Sequence, residues 1–242
     1  MTGDHIVQSY DEDLRHLTNL VLQMGGLVET QVAAATKAMT DRKSDVAREI
    51  IAADAVIDDL ETEVEKQVIK LLALRQPMAI DLRGILGALR VAAELERMGD
   101  LAKNIAKRSI ALAQTREIDT VWAIPSMATM VMSMIKQVLD AYVENDLAKA
   151  AHVWNSDHEV DEAYNGLFRQ LLTYMMEDPR NITACTHLLF AAKNLERIAD
   201  HATNVAEIIT FRQTGERLPG DRPKADTTAM FAGQDEPSGG AS

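Results

Sequence analysis

The sequence is poor in cysteine, in aromatic side chains and in basic charge. Its 242 residues include one cysteine, 4% aromatic residues and a formal net charge of -12. A single cysteine excludes an internal disulfide framework, and the acidic balance argues against nucleic acid or an anionic membrane as partner. Residues 1–15 lack the basic and apolar regions of a signal peptide, and no apolar run approaches the roughly 18 residues of a membrane span. These absences predict a soluble, cytoplasmic protein with no membrane span.

What is abundant is helical periodicity, which runs from about residue 5 to residue 211. It is interrupted near residues 40–43, 75–77, 115–125, 144–146 and 177–180. Helices this long with connections this short must pack antiparallel, so the sequence predicts an all-α fold of six long helices. Gly25 and Gly26 fall inside the first helix, where a close helix contact or a kink would explain them. Residues 214–242 are rich in Pro, Gly and charge and are predicted to be a disordered tail.

The chain also repeats itself. Residues 94–107 read ELERMGDLAKNIAK and residues 194–207 read NLERIADHATNVAE. A second pair of matching segments, Asp54-x-x-Ile57-Asp58 and Asp157-x-x-Val160-Asp161, lies at an offset of 103 residues. The sequence therefore predicts two tandem three-helix bundle repeats, residues 1–115 and 116–213.

Four pairs of carboxylates at i, i+4 spacing stand in the repeated segments. They are Asp54/Asp58, Glu96/Asp100, Asp157/Asp161 and Glu196/Asp200. Helical wheels place each pair on an otherwise apolar stripe, which predicts that the acids face inward. A turn at Pro77 would set Asp54 opposite Asp100, and a turn at Asp178-Pro179 would set Asp157 opposite Asp200. Each half of the chain should thus bring four carboxylates to one level between two helices.

Clustered inward carboxylates need either shared protons or bound cations. An all-oxygen set suits Mg, Mn, Ca or ferric iron, and Asn104 and Asn204 are candidates to support the acids by hydrogen bonds. His158 and His201 should project away from the acids toward solvent, and Cys185 is expected in the core. The Glu-x-x-His pair of ferritin-like di-iron sites is absent, as are a Gly-rich phosphate loop and a Ser-His-Asp set.

At these motifs the sequence resembles the PhoU family of phosphate-transport regulators over about residues 5–212. The segments that carry the resemblance are MGGLVETQV, ADAVIDDLE, LERMGDLAKNIAKR and NLERIADHATNVAE. The resemblance implies a non-enzymatic cytoplasmic regulator, often a homodimer, that holds the phosphate-starvation response off. It would connect the ATPase subunit of a phosphate transporter with a sensor histidine kinase. It also implies metal at the eight motif acids, including multinuclear clusters, with Mg, Mn, Fe and Zn all left open.

Two other functions remain open from the sequence. One is a carboxylate-bridged dimetal enzyme on a helical bundle, against which the missing histidine ligands argue. The other is an accessory protein for a different phosphate carrier.

Overall fold

The computed structural model describes residues 2–75, 77–118, 123–216 and 218, which form seven α-helices. These are α1 (Thr2–Thr40), α2 (Ser44–Ala53), α3 (Ala55–Arg75), α4 (Ala79–Leu112), α5 (Ala123–Glu144), α6 (Leu147–Glu177) and α7 (Ile182–Thr214). Only Asp54 separates α2 from α3, and its backbone angles remain helical at φ -58° and ψ -33°. The two helices therefore make one long segment, and the predicted all-α fold of six long helical segments is confirmed.

The connections fall where the sequence predicted them, and local chemistry explains how they turn. Asn145 adopts a left-handed φ of 57°, and the Asp146 carboxylate accepts hydrogen bonds from the first backbone N–H groups of α6. Gly215, at φ 76°, ends α7 with its N–H bonded to the carbonyl of Phe211. Capping of this kind satisfies the backbone groups that a helix leaves unpaired at its ends.

Helices α1, α2–α3 and α4 pack against one another, and so do α5, α6 and α7. The two groups meet mainly along α4 and α7, with a second contact between α1 and α5. One continuous core of buried apolar side chains runs through both groups. The two halves of the chain therefore share one hydrophobic core.

Gly25 lies at the close contact between α1 and α5. A Cβ added at this position would come within 2.5 Å of Leu139 Cδ1, whereas a Cβ at Gly26 would meet nothing within 4 Å. The predicted reason for a helical glycine, a close helix contact, therefore holds for Gly25 and does not extend to its neighbour.

Helix α7 continues to Thr214, one residue past the predicted end of the second repeat. The prediction of a disordered tail falls on residues 214–242, of which only residues 214–216 and 218 are described. None of the described helices is both long enough and apolar enough to cross a membrane.

Candidate functional site

The first acid cluster is built around Asp54, at the junction of α2 and α3. Its side chain is only 3% exposed and accepts hydrogen bonds from two partners. Gln31 Nε2 on α1 lies 2.9 Å from Oδ1, and Lys103 Nζ on α4 lies 2.6 Å from Oδ2. Lys103 also reaches Asp100 Oδ1 at 3.2 Å, so one ammonium group contacts two of the predicted ligands and balances one of their two charges. The predicted pairing of Asp54 with Asp100 across the hairpin is thus found in the structure.

The absence of a side chain at Gly99 lets α4 approach this carboxylate closely. A Cβ at Gly99 would lie 3.0 Å from Ile57 Cδ1, 3.3 Å from Gln31 Oε1 and 3.5 Å from Asp54 Oδ1. The glycine of the Met-Gly-Asp segment therefore keeps α4 near the buried amide and carboxylate.

The remaining acids of this cluster have raised pKa values because of desolvation and the negative charges around them. Although the Asp58 side chain is exposed, its partial desolvation, together with the neighbouring charges of Asp54 and Asp100, raises its pKa above the ordinary value. Burial, followed by the charges of Asp100 and Glu61, raises the pKa of Glu96 in the same way. Glu61 was not among the predicted acids, but burial and the charges of Glu65 and Asp58 raise its pKa as well. Its charge therefore interacts with those of the cluster. Such mutual repulsion is what a bound cation would relieve.

The acids differ in depth more than the helical wheels predicted. Asp54, Asp157, Asp161 and Glu196 are buried, and Glu96 and Asp200 are half-buried. Asp58 and Asp100 are exposed, so the expectation that all eight acids face inward is wrong for these two. The reason is that a helical wheel gives the direction of a side chain around its own helix and not the depth to which neighbouring helices cover it.

The second cluster lies between α6 and α7 and is the more deeply buried. Asp157 and Asp161 are 1% and 2% exposed, and Glu196 is 5% exposed. Lys193 Nζ lies 2.8 Å from Glu196 Oε1 and also over the ring of Tyr164, 5.0 Å from its centroid. A lysine therefore accompanies the acids here as well, but from a different position of the repeat.

Whether these residues suit a metal can be judged from their chemistry and spacing. Within the described ranges, no three or more His, Cys, Asp or Glu side chains are arranged to hold a metal ion. In the first cluster the Lys103 ammonium takes the place of a cation between Asp54 and Asp100. The donor set nevertheless fits hard cations, because it is all oxygen and its acids repel one another. Binding would require the lysine to turn aside.

The structure corrects two further expectations about polar residues. His201 does not project to solvent: its side chain is 15% exposed, and its Nδ1 lies 2.7 Å from Glu94 Oε2. Asn204 donates to the same Glu94 oxygen at 2.9 Å instead of supporting a cluster acid. Burial opposes ionisation of Glu94, but these two hydrogen bonds outweigh it and hold the pKa of the carboxyl below its ordinary value. His158 is exposed and Cys185 is buried, as predicted.

This Glu94–His201–Asn204 contact joins α4 to α7, and sequence reasoning missed it. Residue numbers in contacting pairs across the two helices sum to 298, as for Glu94 with Asn204 and for Arg108 with Phe190. The repeated segments mark α4 and α7 as equivalent helices, but the interval of 100 residues does not give the register in which the two helices pack.

The chain is thus a helical bundle of two similar three-helix groups, each of which carries paired acids. The PhoU domain family model matches residues 21–109 and again residues 124–209. These two matches cover well over half of the chain. The chain belongs to the PhoU family.

Curated relatives and solved structures agree with this assignment. A phosphate-specific transport system accessory protein PhoU homolog from Caulobacter vibrioides is 52% identical, covering 94% of this chain and 99% of the relative. A homolog of the same name from Rhizobium meliloti is 47% identical, with coverages of 96% and 98%. Crystal structures of PhoU from Pseudomonas aeruginosa and of the phosphate transport system regulatory protein PhoU from Streptococcus pneumoniae superpose with TM-scores of 0.82 and 0.81, at 35% and 28% identity. They cover 86% and 87% of this chain, and 100% and 99% of the respective relatives.

Proposed function

We propose that this protein is a cytoplasmic negative regulator of the phosphate-starvation response that also modulates phosphate uptake. It acts as a metal-binding adaptor between the ATPase subunit of a phosphate ABC transporter and a sensor histidine kinase. It is not an enzyme in this proposal, and its two repeats, residues 1–115 and 116–213, each supply one metal-binding face.

The observation that carries the proposal is the recurrence of the acid cluster in both halves of a chain whose relatives are named as accessory proteins of phosphate transport. In each half the motif acids belong to the two helical segments of one hairpin, α2–α3 with α4 and α6 with α7. A regulator that touches two partners needs two recognition surfaces on one rigid body. The shared core between α4 and α7 provides that rigidity.

The proposed metal ligands are the eight motif acids, with Asp54, Asp58, Glu96 and Asp100 in the first half. A bound Mg, Mn, Fe or Zn ion would neutralise the carboxylates and fix their orientation at the surface. Asp58 and Asp100 are already exposed, so a cation held there would also be accessible to a partner. Lys103 supplies the positive charge when no metal is bound.

The proposal is tested by the double variant Asp54→Asn/Asp58→Asn in cells that carry a phosphate-starvation reporter. Loss of repression at normal protein abundance is expected, together with loss of metal from the purified protein. The matched control is Asp59→Asn/Glu63→Gln, which removes the same charge from exposed positions of α3. Full repression by a metal-depleted Asp54→Asn/Asp58→Asn protein would sink the signalling role of the first site.

Partners are tested by recovering the tagged protein from cells grown with high and with low phosphate. Recovery of the transporter ATPase and of the kinase supports the adaptor role, whereas recovery of an unrelated carrier would favour the accessory role for a different phosphate carrier. A redox and hydrolase screen of the metal-loaded protein addresses the dimetal-enzyme alternative. We also propose a homodimer, for which light scattering is the direct measurement.

A further inference from the structure

A cleft of about 310 Å³ lies between α4 and α7, away from the Glu94–His201 contact. It is lined by Asn104, Lys107, Arg108, Ala111, His187, Phe190 and Asn194. The lining contains two cationic side chains, an imidazole and two amides, and it contains no carboxylate. That composition is unexpected in a protein whose net charge is -12.

One cationic group of the cleft, that of Arg108, is held by an aromatic contact, whereas Lys107 and Asn104 are exposed. The Arg108 guanidinium lies 4.4 Å from the centroid of the Phe190 ring, a stacking contact that fixes its direction. Within the described residues, neither Lys107 nor Arg108 forms an ion pair. The Nδ1 atom of His187 is buried and has no hydrogen-bond partner in the part of the chain that the structure describes. A buried polar atom without a partner is energetically costly.

The surroundings of the imidazole also favour its uncharged form. Burial, assisted by the positive charge of Arg108, lowers the pKa of His187 below its ordinary value. A neutral imidazole has one N–H donor and one acceptor nitrogen, so it can donate to an anion oxygen or accept from a protonated one.

The internal repeat supplies a comparison for this cleft. At the equivalent positions, 100 residues apart, Glu94 stands in place of Asn194, and Glu207 and Ile208 stand in place of Lys107 and Arg108. On the equivalent side Glu94 is already satisfied by His201 and Asn204, and Glu207 accepts a hydrogen bond from Trp154. The equivalent side thus carries two acids together with Arg90, which stands in place of Phe190, whereas the cleft carries two cations and no acid. A general requirement of the α4–α7 packing does not explain this difference.

We infer that the cleft between α4 and α7 is a binding site for a small phosphorylated anion. Lys107 and Arg108 neutralise the phosphoryl oxygens, and Asn104, Asn194 and His187 provide hydrogen bonds around them. The volume accommodates inorganic phosphate or pyrophosphate, and the half-exposed Phe190 ring (48%) leaves one wall apolar for a larger phosphorylated molecule. The inference does not depend on the regulatory role or on metal at the acid clusters.

Titration calorimetry on the full-length purified protein tests the site with inorganic phosphate, pyrophosphate and ATP. Each probe is measured before and after chelation of metal. Saturable binding of at least one probe is expected to survive chelation, and the preferred probe distinguishes the inorganic anions from a nucleotide. The double variant Lys107→Ala/Arg108→Ala should weaken binding by about tenfold or more, since two charge-assisted contacts are lost. Arg48→Ala/Lys66→Ala removes the same charge from exposed positions and should leave the affinity within about twofold.

Nuclear magnetic resonance provides a second measurement that does not require the double variant to fold. The imidazole resonances of His187, assigned by their loss in His187→Gln, should shift on addition of the bound anion, while those of exposed His158 stay unchanged. Failure of all three probes to bind the folded protein would overturn the inference. So would binding that disappears on chelation, since the anion would then be held by metal, or binding that the control pair weakens equally.

Discussion

Replacing Lys103 by Met tests whether this lysine serves as the resident counter-ion of the first acid cluster. The substitution removes the ammonium that lies 2.6 Å from Asp54 and 3.2 Å from Asp100 and keeps much of the side-chain volume. Asp54 is then left buried with Gln31 as its remaining hydrogen-bond donor among the contacts described. We expect the metal-free protein to be less stable.

The magnitude follows from the burial of the pair. Removing one partner of a fully buried ion pair costs about 3–5 kcal/mol. The side chain of Lys103 is 26% exposed, and Gln31 still donates to the carboxylate, so about 2 kcal/mol is expected here. For a chain of this size that corresponds to a fall of roughly 4–8 °C in melting temperature. Thermal unfolding after chelation is the assay.

The matched control is Lys66→Met on α3. Lys66 is 69% exposed and lies 3.8 Å from Glu63, so its loss should cost less than about 0.5 kcal/mol. Combining Lys103→Met with Asp54→Asn should recover most of the loss, because the buried charge disappears together with its partner. Equal stability of Lys103→Met and the unmodified protein would refute the counter-ion role.

The same variant reports on metal. If a cation and the Lys103 ammonium compete for one position, Mg²⁺ or Mn²⁺ should raise the melting temperature of Lys103→Met more than that of the unmodified protein. An equal or smaller rise would show that metal, if bound, does not displace the lysine.

Three further predictions concern pH and packing. Because the pKa of Glu96 is raised in the folded state, the metal-free protein should lose stability as pH rises from the ordinary pKa of 4.5 through the raised one. Glu96→Gln should remove that part of the pH dependence when the free energy of unfolding is measured against pH in the presence of a chelator. The pKa of Glu94 is lowered, so its contribution is present above 4.5 and is lost as pH falls through the lowered value. Glu94→Gln should therefore cost about 1–3 kcal/mol at neutral pH, and a cost that persists unchanged at low pH would contradict the ionic explanation. Gly25→Ala should be about 1–3 kcal/mol less stable than Gly26→Ala in denaturant unfolding, because only a Cβ at position 25 collides with Leu139. Equal stabilities of the two variants would mean that α1 and α5 shift to accommodate the added methyl group.

Features encoded locally could be predicted from the sequence. Pro77, Asn145 and Pro179 marked three of the predicted connections, and helices end and begin on either side of each of them in the structure. The pairing of Asp54 with Asp100 followed from an antiparallel hairpin with a short turn, and Lys103 confirms it by contacting both. Such inferences succeed because helical periodicity and turn position together fix the register of neighbouring helices.

Features that depend on a third element could not be predicted in this way. A helical wheel gives a direction around one helix and says nothing about how deeply neighbouring helices cover it, so Asp58 and Asp100 were expected to be buried and are exposed. The contact of Glu94 with His201 joins residues 107 positions apart across the meeting of the two halves. The geometry of the two hairpins does not determine how α4 and α7 pack against each other.

The two acid clusters, although built on one repeated frame, differ in how their charge is balanced. In the first, the lysine sits at position 103 and bridges acids of two helical segments, whereas the equivalent position 203 is a buried threonine that bonds to the carbonyl of Asp200. In the second, the lysine sits at position 193, reaches Glu196 within its own helix and stacks over Tyr164. A cation entering the first cluster must compete with a bridging ammonium, and one entering the second must reach deeper carboxylates. If both clusters bind metal, their metal affinities should differ. The Lys103→Thr substitution gives the first repeat the residue found at position 203 of the second, and it should reduce the difference in affinity in a metal titration.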